Sequence, residues 1–452
     1  MGGSKVVRSA VVLWLGLASA AQAGPDVEVA PRRSTAEDLT PRFERFVTAN
    51  GLVVLLSPDP KANKVVVDLS FAAGALYQPP GKGGLAHLVE HVFSSGATAD
   101  TDYRAMLERR GGVGFNAFTT LDRLNFRVTV PPEELPFALW TNTDRLGALA
   151  STLTDDELHR NQRVVLQERV HRVDDVPYGG NGVAMWRSVF PEGHPARSGI
   201  TGTRDEISAN TLDDVKKFQR TLLVPANAVL TLVGNFEPAV ARAWVEKTLG
   251  TLPSGRRAPP PPKTPARTPD VQVSVAEELG RRPMVTLAWT LSDPLTELSE
   301  ALEFGSLLLT LYTDGFVGMN VSSQLLQFNG GAIFLLQVTM PHATDKSEAA
   351  GNAEVVFRYL AQAVMPKELV AATLLAWDRN QMAVLQSSEG RATLLTQLEV
   401  RPPDPVYGLG LAERHWAITP MKLQAIAGSA LRGKRVVVQS RPTRPLPPKL
   451  DR

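Results

Sequence analysis

Gly84-Leu85-Ala86-His87-Leu88-Val89-Glu90-His91 is the stretch on which the reading of this chain turns. It reads as one helix, and on a helix positions i and i+4 share a face. His87 and His91 can therefore offer ring nitrogens to a single metal ion, while Glu90, three residues after His87, leans over the same spot. The order H-x-x-E-H reverses that of the common zinc peptidases and is the inverzincin pattern. A catalytic zinc takes three protein ligands and keeps a fourth position open for water. The motif supplies two, so a third has to come from elsewhere. The plain alternative is a solvated helix face.

The best source is the segment Leu153 to Val170. Thr154 suits an N-cap and acids fill the first turn, so the segment reads as a helix. Glu157, Asn161, Val164, Val165 and Glu168 fall on one stripe, because steps of three, four and seven return to the same face. A carboxylate among Val164 and Val165 is partly buried, and buried charge needs a partner. Zinc would be that partner for Glu168. Without the histidine pair, a solvated or ion-paired glutamate would be the ordinary reading. His171, one turn on, is either a neighbour of the metal site or, more ordinarily, a surface histidine.

At 452 residues the chain suits two domains of about two hundred residues each. With 43% hydrophobic and 21% charged residues it has the composition of a globular protein with a sizeable core. A formal net charge of +2, with no basic stripe carrying interleaved aromatics, argues against nucleic acid as a partner. There is no cysteine, which excludes disulfides and thiolate-held zinc. Any zinc must sit on nitrogen and oxygen, a choice that tolerates an oxidising compartment. The N-terminus agrees with export. Lys5 and Arg8 precede an apolar run from Ala10 to Ala20, and Ala21-Gln22-Ala23 makes an A-x-A site, so residues 1–23 read as a secretory signal. An uncleaved anchor is the alternative, although the run is short for a membrane span. No later segment is apolar enough to cross a bilayer, so a soluble mature chain, periplasmic or secreted, is expected.

These motifs sit in a wider pattern that resembles the pitrilysin/insulinase (M16) family of zinc peptidases, in the branch of mitochondrial processing peptidase and its small bacterial homologues. The likeness covers most of Phe46 to Phe236. It begins at Asn50-Gly51-Leu52-Val53-Val54-Leu55, passes through Phe71-Ala72-Ala73-Gly74-Ala75 and the histidine motif, and continues in Gly114-Phe115-Asn116-Ala117-Phe118-Thr119. His194-Pro195, Gly199-Ile200-Thr201-Gly202-Thr203 and Asn227 to Asn235 follow the same pattern. The resemblance implies His87, His91 and Glu168 as ligands of one zinc ion per chain, with Glu90 as catalytic base. It also implies an α+β architecture of two homologous α/β-sandwich halves, the LuxS/MPP-like metallohydrolase fold. Asn116 and Ala117 resemble the family's segment that pairs with an extended peptide or unfolded protein substrate. From the residues alone, an internal strand is an equal reading of that segment.

The chain departs from the family in two places. A second glutamate one heptad before the distal ligand is usual, and here Asn161 stands there. Loss of a negative charge next to the metal shell can cost about ten- to a hundredfold in affinity or activity. Glu157, on the same stripe, is a candidate to compensate. The other departure is in the second unit. The zinc-binding unit is expected over 24–250, a Pro-rich basic linker over 251–270, a homologous unit without metal over 271–440 and a disordered tail over 441–452. In the second unit Val271–Val275, Met284–Trp289 and Ala332–Met340 read as strands and Leu298–Tyr312 as an apolar helix. The family's second half carries an arginine and a tyrosine as a substrate clamp, whereas Gly318 to Gly331 contains neither. This favours a homologous partner subunit that supplies the missing pair, over a chain that acts alone or as a homodimer. An exported zinc endopeptidase, or its zinc-bearing subunit, is thus expected, with a non-catalytic peptide-binding or assembly subunit as the alternative.

Overall fold

The computed structural model describes residues 35–95, 102–265, 268–291, 319–340, 364–400, 410–431 and 433–444, with short pieces between 302 and 362. The signal segment and most of the expected helix Leu298–Tyr312 lie outside the described residues.

Two sheets organise the chain. In the first half, β1 (Glu44–Val47), β2 (Val53–Pro58), β3 (Val65–Phe71), β4 (Val113–Thr119), β5 (Leu124–Val130) and β6 (Ala228–Gly234) assemble in the order β1-β2-β6-β3-β5-β4. In the second half, β7 (Val271–Glu277), β8 (Met284–Leu291), β9 (Asn320–Phe328), β10 (Gly331–Thr339) and β11 (Val436–Pro442) assemble as β7-β11-β8-β10-β9. When β1 is set aside, the two orders superimpose strand for strand. In each, the first strand runs parallel to the last, and every other pairing is antiparallel. The halves are therefore two copies of one topology. The alternation read over β7, β8 and β10 corresponds to real strands. β11 continues two residues past the expected end of the second unit, because Arg441 and Pro442 still pair with Ala276 and Glu277.

Burial on both sheet faces explains how the copies are held together. All seven residues of β3 are buried. Val65, Val67, Leu69 and Phe71 join a core with the helix Leu85–Ser95, while Val66 alternates to the opposite face. That opposite face is covered by the helix Ser388–Val400 of the second half, which packs on β6 and β3. Ala392 and Leu395 meet Leu55, Val66, Val229 and Val233 there. The first half returns the arrangement. Its helix Gly179–Val189 packs on β7, β8 and β11, setting Met185 and Val189 against Ala288, Ile333, Leu335, Val436 and Val438. Each half thus lends one helix to the other's sheet. Burial of a leucine such as Leu395 contributes about 1.5–3 kcal/mol, so neither helix is a loose appendage.

Candidate metal centre

The site starts from two close backbone approaches. Gly84 has φ +76°, and a Cβ there would lie 2.4 Å from the Thr201 carbonyl oxygen. Gly202, at φ +79°, comes equally close to Gly83 from the other side. Only glycine fits such a crossing without strain. The Gly84 carbonyl accepts the Leu88 N–H at 2.9 Å and opens the helix Leu85–Ser95. Leu85, Ala86, Leu88, Val89, Val92 and Phe93 drive this helix into the core. The second helix, Asp155–Arg169, begins with a reciprocal cap in which the Thr154 hydroxyl accepts from Glu157 N–H and the Glu157 carboxylate accepts from Thr154 N–H. Leu158 and Val165 are buried, and the Gln162 amide donates to the carbonyls of Ile207 (3.0 Å) and Asn210 (2.9 Å). The helix gives way to a single π turn, Val170–Asp174, just after Glu168.

These two helices bring His87, His91 and Glu168 together. The Nε2 atoms of the histidines are 3.3 Å apart, and Glu168 Oε2 lies 3.5 Å from each. Zinc held tetrahedrally by nitrogen and oxygen at about 2.0–2.2 Å requires ligand atoms separated by roughly 3.3–3.5 Å. The triangle has those edges, and two neutral imidazoles with one carboxylate are a donor set zinc accepts. The three side chains fit the ion. Among the described residues they form the group of three metal-ligating side chains whose donor atoms lie within 4.8 Å of one another.

Electrostatics prepare the same group. Burial pushes the His87 imidazole down to about 3, with the neighbouring His91 acting in the same direction, so His87 is neutral and its lone pair is available. Burial raises the Glu168 carboxylate, but contact with His91 and the charge of Arg172 outweigh it, leaving Glu168 below the ordinary carboxylate range. Glu90 is buried on the same helix as the histidines, and desolvation holds its carboxyl above the ordinary range. The Thr119 hydroxyl donates to Glu90 Oε2 at 2.6 Å and partly offsets that burial.

Asn116 and Ala117 lie on β4, opposite Arg127 and Phe126 of β5. β4 is the last strand of its sheet, so its outer edge has no strand partner among the described residues. A bulge between Val113 and Asn116, with Gly114 at φ +65°, bends the strand before it reaches Thr119. Among the described residues the segment is thus a terminal strand of its sheet, not an internal one. Two expectations on the ligand helix also require correction. Glu157 does not compensate for Asn161, because its carboxylate is committed to the helix cap, accepting from Thr154 N–H (2.9 Å) and Oγ1 (3.0 Å). Val164 is 45% exposed and drops out of the expected stripe, whereas Glu157, Asn161 and Val165 are buried and Glu168 is half-buried. Asn161 is buried and its amide donates to the Glu157 carbonyl at 2.9 Å. His171 is exposed, as for an ordinary surface histidine. Two contacts at the site were not among the expectations, and they differ in whether the sequence signals them. Thr119 is distant from Glu90 in the chain and carries no local signal, whereas the Arg172 to Glu168 ion pair, at 3.3 Å, was legible as an i,i+4 spacing.

Comparison with known proteins gives the site its setting. The family model described as Insulinase (Peptidase family M16) matches residues 53–178, which hold the histidine motif and Glu168. A second, Peptidase M16 inactive domain, matches residues 210–372. Zinc protease PqqE of Helicobacter pylori is 30% identical over 203 residues, covering 44% of this chain and 45% of that protein. The chain spans about half the length of the curated relatives it matches. Among solved structures, a protease from Helicobacter pylori superimposes with a TM-score of 0.80 at 20% identity, covering 89% of this chain and all of that one. A peptidase M16 inactive domain from Pseudomonas fluorescens superimposes at 0.77 and 17% identity over 90% of this chain and 100% of its own. The two family models together span well over half of the sequence, and the duplicated topology is that of the matched structures. The chain belongs to the insulinase family, peptidase family M16.

Proposed function

We propose that this chain is an exported zinc-dependent endopeptidase, or the zinc-bearing subunit of a two-chain enzyme, acting on peptides or unfolded protein. The observation that carries the reading is the His87, His91 and Glu168 triangle with edges of 3.3 to 3.5 Å, with buried Glu90 on the histidine helix. One zinc ion on these ligands supplies Lewis acidity, polarising a carbonyl and rendering water acidic near neutral pH. Glu90 takes the proton of the attacking water and returns it to the leaving amine. Thr119 occupies Glu90 Oε2, which leaves Oε1 for the proton. The free edge of β4 binds an extended peptide through main-chain hydrogen bonds, and its bulge sets where that peptide departs from the strand. The N-terminal signal-like sequence supports export, and no helix among the described residues is long and apolar enough to cross a membrane.

Residues 319–331 of the second half contain neither arginine nor tyrosine, which supports a homologous partner chain that brings a substrate clamp. The same feature, with Asn161, supports a second reading, a non-catalytic peptide-binding subunit. Cleavage of a quenched-fluorescence library of unstructured peptides by the chain from Gly24 onward, with zinc supplied, separates them. Glu90→Gln is expected to abolish turnover while one zinc per chain remains bound, measured by elemental analysis. Cleavage retained in that variant would remove Glu90 from its role. Zinc bound without turnover, with and without a homologous partner, would favour the binding subunit.

A further inference from the structure

Glu168 reaches the two histidines with the same oxygen that faces a fourth group. Arg172 Nη1 lies 3.3 Å from Oε2, and its side chain is 41% exposed. A basic residue one turn after a glutamate at a helix end is ordinary. The turn that carries it is not. Val170–Asp174 is a π turn, closed by Asp175 N–H on the Val170 carbonyl at 2.8 Å, and such turns recur at functional sites. It is also held on three sides. Asp174 accepts from Arg204 Nη2 (2.7 Å) and Nε (3.0 Å) and pairs with Arg169 at 3.4 Å. The Arg169 guanidinium also donates to the Gly202 carbonyl, in the loop that seats the histidine helix. Gly179 lets the Val173 carbonyl approach where a Cβ would lie 1.8 Å from its oxygen. Arg172 therefore projects from an over-determined turn onto a metal-ligating oxygen, and its charge also reaches His87 and Glu90.

We propose that Arg172 is a positioning residue, whose guanidinium holds the Glu168 carboxylate in the orientation that presents Oε2 to the histidine pair. The proposal rests on the metal-site reading above. A carboxylate at the end of a helix has rotamers that turn it away from the histidines, and an ion pair from a fixed turn selects against them. Orientation and charge make opposite predictions. Removing a cation beside a dication would by itself tighten metal binding, so a loss of affinity on neutralising Arg172 isolates orientation.

The test measures zinc affinity by chelator competition in full-length Arg172→Gln, Arg172→Lys and His91→Phe, with Co(II) absorption spectra in parallel. Arg172→Gln is expected to weaken zinc binding by about tenfold or more and to alter the cobalt spectrum, and Arg172→Lys to recover most of the affinity. Because the Arg172 side chain is partly exposed, thermal melts of the variants should match wild type. Unchanged or tighter zinc binding by Arg172→Gln, with an unchanged cobalt spectrum, would overturn the proposal. If the wild type binds no zinc, or His91→Phe binds it as well as wild type, the metal site itself fails, a result distinct from failure of Arg172 alone.

Discussion

His87, Glu90 and His91 were legible because helical spacing alone places them together, and Glu168 was legible because a carboxylate on a partly buried stripe needs a partner. What the sequence could not show is how these groups are held. Thr119 lies at the end of β4, on a different element from Glu90, and only the packing of the sheet against the histidine helix brings its hydroxyl to 2.6 Å from the carboxylate. Its contribution can be tested without touching the metal. Thr119→Val keeps shape but removes the donor, leaving Glu90 free to rotate, and kcat is expected to fall roughly tenfold with zinc content unchanged. Equal kcat in peptide-cleavage assays would show that Glu90 is oriented by something else. Asn161 illustrates the limit of position-by-position comparison. Its amide is committed to the Glu157 carbonyl, a contact invisible until the helix is built.

At the scale of elements, the helix Asp155–Arg169 was readable from Thr154 and the acids that follow it, because its cap is local chemistry. The start of the histidine helix was not readable in the same way. Gly84 appears in the motif as one small residue among others, yet its role comes from Thr201, in a loop far along the chain. An alanine there must both adopt a positive φ and push back a carbonyl oxygen that would sit 2.4 Å from its Cβ. Gly84→Ala is therefore expected to cost more than about 1 kcal/mol and to lower zinc stoichiometry, since the helix that carries both histidines would shift. Thermal melting with metal analysis checks this. A melt like that of wild type with full zinc would mean that the 201–202 loop gives way easily. The free edge of β4 also belongs to this scale. Alternation marks a strand, but whether a strand is internal or terminal depends on pairings the sequence does not encode locally.

At the scale of the molecule, the duplicated topology was foreseeable only as a family resemblance, and the exchanged helices were not foreseeable at all. Nothing in the sequence of Ser388–Val400 says that it covers the first half's sheet. Its polar residues make sense only there. Thr396 donates to Asp68 Oδ1 at 3.1 Å and shares a hydrogen bond with Thr231, Thr393 accepts from Arg127, and Glu399 takes both arms of Arg45. At the other end Arg391 pairs with Asp59, next to β2, at 2.7 Å. That hydrogen bond holds the Asp59 carboxyl below its ordinary range. A carboxylate whose folded value is lowered contributes stability that is full above the unfolded value and disappears as pH falls through the folded one. The stability advantage of wild type over Asp59→Asn should thus be constant near neutral pH, shrink below pH about 4 and vanish at stronger acidity. Because both side chains are partly exposed, the advantage should stay under about 1 kcal/mol. Thermal denaturation of both proteins across that range tests the pair. A difference that did not narrow on acidification would mean that the ionised carboxylate, and so its pairing with Arg391, is not what separates the two proteins. The exchanged helix would then be held by its apolar face and by the contacts around Thr396.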